Sequence, residues 1–292
     1  MLKLRKNLGH GKMREEFYRV KNLKEPKRIS EYLKKNLGFS TSLVARVKFG
    51  GVFINGENVH MRAQVQNGDE IKVIFPEEKC ENIPPISLPL EILYEDDELL
   101  VVNKPRNMPT HPSRGNSLPT LANAVMARYD GGFVFRAINR LDRDTSGAVL
   151  IAKGALSAAN LSRDMKAGLF TKKYTAILDG TPPADRGTID APIEREAEGN
   201  IKRCVRPDGK RAVTEYRVIK RLDGGKAVCE FNLLTGRTHQ IRVHAAYIGA
   251  PLLNDFLYGT RGDETYFLHC SYLSFPHPKT REIIEIFSDP QF

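Results

Sequence analysis

Residues 139–153 read NRLDRDTSGAVLIAK. The first nine alternate charge with short polar side chains; the next five, Ala148 to Ala152, are apolar. A polar loop that delivers an apolar run of this length reads as a connection feeding a buried β-strand. Charged loops at strand ends are also where functional groups collect, because a rigid scaffold positions them. Two carboxylates, Asp142 and Asp144, alternate here with Arg140 and Arg143. A salt-bridged turn, with Thr145 or Ser146 satisfying backbone groups, is the plain alternative. The segment alone leaves both open.

Working outward, Ile92 to Pro105 (ILYEDDELLVVNKP) reads as two strands around an acidic turn. Thr120 to Tyr129 has the helical period, with Leu121, Val125 and Met126 on one side. Downstream, Ser157–Ala167 and Gln240–Ile248 are expected to be helices. Lys173–Asp179, Ala212–Lys220, Lys226–Leu234 and Glu282–Phe287 are expected to be strands. Strands outnumber helices and hairpins are frequent. The predicted class is therefore α+β, with a mixed, mostly antiparallel sheet flanked by helices over residues 91–292.

The N-terminal quarter differs. Residues 1–15 read as a flexible basic tail. From residue 16 to 76 a small α/β unit is predicted. Ser30 is the expected N-cap of a first helix, and a second helix starts near Ser40 or Thr41 with Leu43, Val44 and Val47 on one face. Val52-Phe53-Ile54 and Glu70 to Phe75 are strands, with turns at Asn55-Gly56 and Asn67-Gly68-Asp69. Residues 77–90, rich in proline, read as a linker.

The chain has 292 residues, is 41% apolar and 27% charged, and carries a formal net charge of +10. That composition suits a globular protein, not a disordered one. Residues 1–75 hold 16 Lys/Arg against 7 Asp/Glu, and the remaining 217 hold 29 against 28. A basic module on a neutral body points to a polyanion partner. No apolar run approaches a membrane span, and the basic segment lacks a helix rich in large apolar residues, so no membrane is expected. Cys80, Cys204, Cys229 and Cys270 are far apart, which argues against both a zinc site and a disulfide framework and fits the cytoplasm; a monomer is expected.

Two further segments gather chemistry. LLTGRTHQIRVH, residues 233–244, holds Arg237, His239, Arg242 and His244. A helix from Gln240 would put Arg242 in its first turns, able to reach across to a carboxylate. KKYTA, residues 172–176, places Tyr174 in a strand behind two cations; alone, that tyrosine is a core aromatic.

Together, NRLDRDTSG, KKYTAILDG, LLTGRTHQIRVHAAYIGAPLLND, VVNKPRNMPTHPS and LHCSYLSFPHP resemble the motifs of RluA-type pseudouridine synthases, from about Ile92 to the C-terminus. The unit over residues 16–76, with GGVFINGENV and VQNGDEIKVIF, resembles the S-four-like RNA-binding module that often accompanies that family. The resemblance implies that Asp142 acts on the target nucleoside, that Arg242 pairs with it, and that Tyr174 lies against the base and helps take its C5 proton. It implies that Arg140 enters the helix stack where the uridine has left. Arg237 and His239 would shape the pocket or touch phosphate, and Lys34, Lys35, Arg46 and Lys48 would face RNA phosphates. Asn139 departs from the pattern: the family usually has His there, which bears on loop geometry.

The implied reaction breaks the bond from uracil N1 to the ribose, turns the base, and joins C5 to the same carbon. Nothing is exchanged with another molecule, so no cofactor and no metal is expected. A carboxylate serves as nucleophile or base at the ribose. The expected partner is RNA, ribosomal RNA of the large subunit first and transfer RNA second. Two other readings compete. Asp142-Arg143-Asp144-Thr145 superficially resembles the start of a haloacid-dehalogenase-type phosphatase, but no buried apolar strand leads into it. A catalytically silent RNA-binding or ribosome-assembly factor would need only the basic module.

Overall fold

The computed structural model describes residues 14–76, 82–112, 119–259 and 265–290. The N-terminal unit contains β1 (Arg14–Arg19), β2 (Lys27–Arg28), α1 (Ile29–Lys35), α2 (Thr41–Val47), β3 (Val52–Ile54), β4 (Glu57–Asn58), β5 (Gln64–Val65) and β6 (Glu70–Phe75). β1, β6, β3 and β4 form one sheet in that order. Its inner face and the two helices enclose a core of their own, with Ile29, Leu33, Val47, Ile71 and Val73 fully buried. Ser40 caps α2, its Oγ accepting from the Leu43 N–H at 3.1 Å.

Three expectations change here. Arg14 and Glu15, read as part of the tail, lie in β1, paired with Phe75 and Ile74; residues 1–13 lie outside the described residues. Ser30 does not cap α1. The helix begins two residues earlier, with Arg28 at the cap and no side-chain cap bond, and the Ser30 N–H donates to Met61 O. Backbone pairing to the segment before β5 supplies what the hydroxyl was expected to supply. Of the stretch read as a linker, residues 77–81 lie outside the described residues. From residue 83 it is docked: Ile83 enters the larger core, Ile86 N donates to Asn123 O, and Pro84 O accepts from Asn123 Nδ2.

The larger unit begins with β7 (Glu91–Glu95), β8 (Leu99–Lys104), α3 (Leu121–Arg128), β9 (Ser146–Ala152), α4 (Ala155–Lys166) and β10 (Thr171–Leu178). It continues with β11 (Arg186–Asp190), β12 (Ile193–Arg195), β13 (Arg203–Val205), β14 (Val213–Arg221), β15 (Ala227–Leu233), α5 (Gln240–Tyr247), β16 (Leu268–Pro276) and β17 (Ile283–Phe287). Nine of its strands form one sheet, ordered β11-β14-β15-β10-β16-β9-β8-β7, with β17 on the far part of β16. Every pairing is antiparallel except β9 with β16. The class is α+β, as the strand-rich pattern predicted.

The two apolar runs at the centre explain themselves. Leu99 to Val102 and Ala148 to Ala152 are buried at every position, because helices and loops cover both faces of β8 and β9. Each such aliphatic side chain removed from water contributes about 1.5–3 kcal/mol. α3 starts on a capping box: Thr120 Oγ1 accepts from Asn123 N and Thr120 N donates to Asn123 Oδ1. Asn123 thereby caps the helix and holds the incoming segment at Pro84.

Candidate active site

The loop before β9 is stitched down from three sides. Thr110 Oγ1 donates to Leu141 O at 2.8 Å and accepts from Leu141 N. Lys104, at the end of β8, is fully buried, and its Nζ donates to Pro105 O, Met108 O and Arg143 O at 2.9, 2.7 and 3.0 Å. Burial pushes the Lys104 ammonium down to about 7, against the opposing pull of Asp144 and Asp142. Asn139 closes the third side: its Nδ2 donates to Ala148 O and its Oδ1 accepts from Leu150 N. The amide thus joins loop to strand at the position where the resembled family carries His.

Within this frame the two carboxylates separate. Asp144 is 3% exposed and takes a two-pronged bond from Arg143 Nε and Nη2, both at 2.9 Å. It is the salt-bridged part of the turn. Asp142 is one-third exposed, with its backbone carbonyl accepting from Thr145 N. Its Oδ2 lies 3.6 Å from Arg242 Nη1 and 3.8 Å from His239 Nε2. These are ion-pair distances beyond direct hydrogen bonds, so the carboxylate is aimed but not consumed.

Arg242 is held from behind. Its Nε and Nη2 donate to Asp255 Oδ2 and Oδ1, both at 2.7 Å, and Asp255 is fully buried. Asp255 Oδ1 also accepts from Leu257 N and Tyr258 N. The guanidinium carbon lies 4.4 Å from the Tyr266 ring centre and 5.0 Å from that of Tyr258. Burial works against its charge, but the Asp255 bonds, Tyr266 and Asp142 outweigh that and hold the pKa above the usual arginine value. A fixed cation with one free edge facing Asp142 is the result.

His239 caps α5 in the left-handed region, φ 57°. Its Nδ1 lies 2.8 Å from Tyr258 Oη, which also accepts from Arg203 N. Burial, which Asp142 opposes and Arg242 reinforces, lowers its pKa. In the neutral tautomer that takes the Tyr258 proton at Nδ1, Nε2–H faces Asp142.

Tyr174 begins the buried face of β10, opposite Cys270 of β16, just past a register shift at Lys173. A bulge there re-aims the side chain. Burial raises the phenol's pKa well above 10, with the Cys270 thiol and Asp142 adding to the shift. Arg140 is exposed on the same loop as Asp142. Arg237 is exposed too, and its Nε donates to Arg211 O. Of the N-terminal cations, Lys35 is paired with Glu31 at 2.7 Å and Lys48 lies over Phe49, while Lys34 and Arg46 face a cleft against α4. All four lie in the N-terminal unit, while the Asp142 loop belongs to the larger one. Lys104, Asp255, Tyr258 and Tyr266 were not among the predicted site residues. Only Lys104 and Asp255 left a trace in the sequence, as charges closing otherwise apolar runs. Among the described residues no group of three or more His, Cys, Asp or Glu could hold a metal ion.

A sheet of this kind, with an accessible carboxylate set against an anchored arginine beside an exposed second arginine, has the build of an enzyme site for a polyanionic substrate. Residues 98–247 match the pattern that defines the RNA pseudouridylate synthase family. The RNA pseudouridine synthase YjbO of Bacillus subtilis is 42% identical over 254 residues, 84% of this chain and 89% of its own. Ribosomal large subunit pseudouridine synthase D of Pasteurella multocida is 37% identical over 80% of this chain and 78% of its own. The structure of human RNA pseudouridylate synthase domain containing 1 superposes with TM-score 0.60 at 30% identity, over 72% of this chain and 86% of that one. The chain belongs to the RNA pseudouridylate synthase family, in its RluA-type branch, and is an isomerase acting on RNA.

Proposed function

We propose that the protein isomerises particular uridines of structured RNA, large-subunit ribosomal RNA first and transfer RNA second, using Asp142 at the ribose. The observation that carries the reading is the Asp142 carboxylate held at 3.6 Å from an arginine already anchored by Asp255. The synthase D relatives are named for the large ribosomal subunit, which favours that RNA.

A uridine in a duplex must leave the stack to reach a loop of this kind, at a cost of a few kcal/mol. Arg140, exposed beside Asp142, fills the gap by stacking and hydrogen bonding with its planar cation. Asp142 acts at the ribose as the N1–C1′ bond breaks. Arg242 faces the carboxylate at 3.6 Å and does not itself shift, because two of its nitrogens are bound to Asp255. The base turns, C5 bonds to C1′, the C5 proton leaves and N1 gains one. Tyr174 is placed against the base; its raised pKa keeps the phenol protonated, so it serves by contact and hydrogen bonding until the C5 proton is released. The N-terminal unit, with two helices on a small sheet, is the RNA-binding module in this reading.

The test is Asp142→Asn. Pseudouridine formation in an in vitro transcript of large-subunit ribosomal RNA is expected to fall to background, while binding to the same transcript persists. A variant that isomerises at the normal rate would falsify the assignment. A wild type that binds but converts no uridine would favour the silent RNA-binding factor. Mapping pseudouridines in cells with and without the gene identifies the site.

A further inference from the structure

Asp255, which anchors Arg242, is fully buried, and the residue after it is not: Phe256 is 48% exposed. Its ring centre lies 5.6 Å from the Arg242 guanidinium carbon, and Nη1 of that guanidinium lies 3.6 Å from Asp142 Oδ2. Three aromatic rings thus surround one cation. Tyr266, at 4.4 Å, is fully buried; Tyr258, at 5.0 Å, is half-buried; Phe256 is the open one. The two tyrosines also carry a polar handle into the site, with Tyr266 Oη 3.2 Å from Thr145 Oγ1 and Tyr258 Oη 2.8 Å from His239 Nδ1. Phe256 has no such atom.

A single exposed apolar side chain is ordinary on a protein surface. This one is set apart by where it stands and by how it is held. Asp255 Oδ1 accepts from Leu257 N and Tyr258 N at 3.0 and 3.2 Å, and Asp255 O accepts from Gly259 N at 2.8 Å, so the turn closes around residue 256. The carboxylate that fixes the arginine therefore also fixes the turn that presents the ring. A ring held in place before its ligand arrives loses little freedom on binding.

The chemistry of the substrate says what covers it. Cations take the phosphates of RNA, whereas a neutral π-face takes the face of a base. An uninterrupted duplex hides those faces; they open where a nucleotide leaves the stack or stands in a loop. Tyr174, buried in β10, is placed against the target base in the reading above. Phe256 stands on the open side of Arg242, where the chain on either side of that base passes.

We infer that Phe256 is a base-stacking residue, whose exposed face takes an unpaired nucleobase flanking the uridine that enters the Asp142 site. The place of that uridine rests on the function proposed above; the capture of a base beside Arg242 does not. The substrate is thereby narrowed to RNA in which the modified uridine has an unpaired neighbour, as in a hairpin loop or a bulge. Stacking accepts any base, so the ring selects RNA shape and not sequence.

The chain holds no tryptophan, so Phe256→Trp in the full-length protein gives a single fluorophore at the site. Ile219→Trp is the control: Ile219 is 51% exposed and lies six residues along β14 from Val213, whose carbonyl meets Gln240 at the start of α5, a distance of about 20 Å at about 3.3 Å per residue. Each is titrated to saturation with an RNA hairpin bearing a uridine-containing loop and with a fully paired duplex of equal length. The hairpin is expected to quench Phe256→Trp strongly, the duplex to quench it little, and neither to change Ile219→Trp. Quenching of Phe256→Trp no greater than that of the control, or equal quenching by hairpin and duplex, overturns the stacking role. In hairpin binding, Phe256→Ala and Phe256→Leu should each raise Kd about tenfold and Phe256→Tyr should keep it within about twofold. Leucine still covers Arg242, so a Phe256→Leu protein that binds like wild type would show that the ring only shields the arginine, and the inference fails. If wild type converts no uridine while the quenching and the affinity pattern hold, base capture stands and only the placement of the uridine at Asp142 fails.

Discussion

Asp142 and Asp144 lie two residues apart and have opposite environments. Asp144 is buried against Arg143 and belongs to the turn; Asp142 is partly open and faces Arg242. The residue that makes this difference useful is Asp255. It fixes the guanidinium, and the guanidinium then presents Nη1 to the site. Asp255→Ala would leave a buried arginine with both of these hydrogen bonds lost, which costs about 3–5 kcal/mol. Urea denaturation should show that loss, and turnover on the ribosomal transcript should fall with it, because Arg242 would be free to close on Asp142. A stability change below about 1 kcal/mol would show that Asp255 does not anchor the site. At this scale the structure brings Asp142, Arg242 and His239 together, with Tyr174 close enough to feel the Asp142 charge, and adds Asp255, which the sequence reading missed. An aspartate at the end of PLLND looks like any turn residue; in the fold it is fully buried, and the backbone N–H groups of Leu257 and Tyr258 close on it.

Among the elements, the contact between β9 and β16 decides where the loop lies. These strands run parallel through only His269 with Ser146 and Cys270 with Gly147. Gly147 sits at φ +109°, and a Cβ there would meet the Cys270 backbone at 2.4 Å. Gly147→Ala must therefore part the strands or strain the backbone. It is expected to destabilise by at least about 3 kcal/mol and to displace Asp142 from Arg242. A soluble, normally active Gly147→Ala protein would show that the close approach is dispensable. Most helices and strands of the larger unit were legible, because long apolar periods set them. The nine-residue β16 was not read as a strand, and neither were the short strands β11, β12 and β13. The short ones are three to five residues long with few apolar positions, and only their partners make them strands. The start of α1 was misplaced by two residues for a related reason: a distant backbone carbonyl, not the local hydroxyl, meets Ser30.

Across the whole molecule, His244 and His269 are buried and His239 is partly so. His239, His244 and His269 each have a pKa lowered from 6.5 by burial, only partly offset by neighbouring acceptors. The unfolded chain therefore binds protons near pH 6.5 that the folded chain refuses. Stability from this source is present above that pH and lost as pH falls below it. The urea midpoint should be lower at pH 5.5 than at pH 7.5, and His244→Gln should shrink the difference. Equal midpoints at the two pH values would count against it. His244 is the informative choice, since it bonds Thr214 and Ala191 O inside the fold and not the substrate loop.

The sequence by itself determined the α+β class, the charge division between the two units, and the loop that carries Asp142. Those follow from local periods, turn residues and composition, which need no distant contact to be read. The tertiary structure alone decided which carboxylate is free, what anchors Arg242, and that Phe256 stays exposed beside it. Each of these depends on residues apart in the chain, brought together only when the core closes, and burial then sets which charges are spent and which remain available.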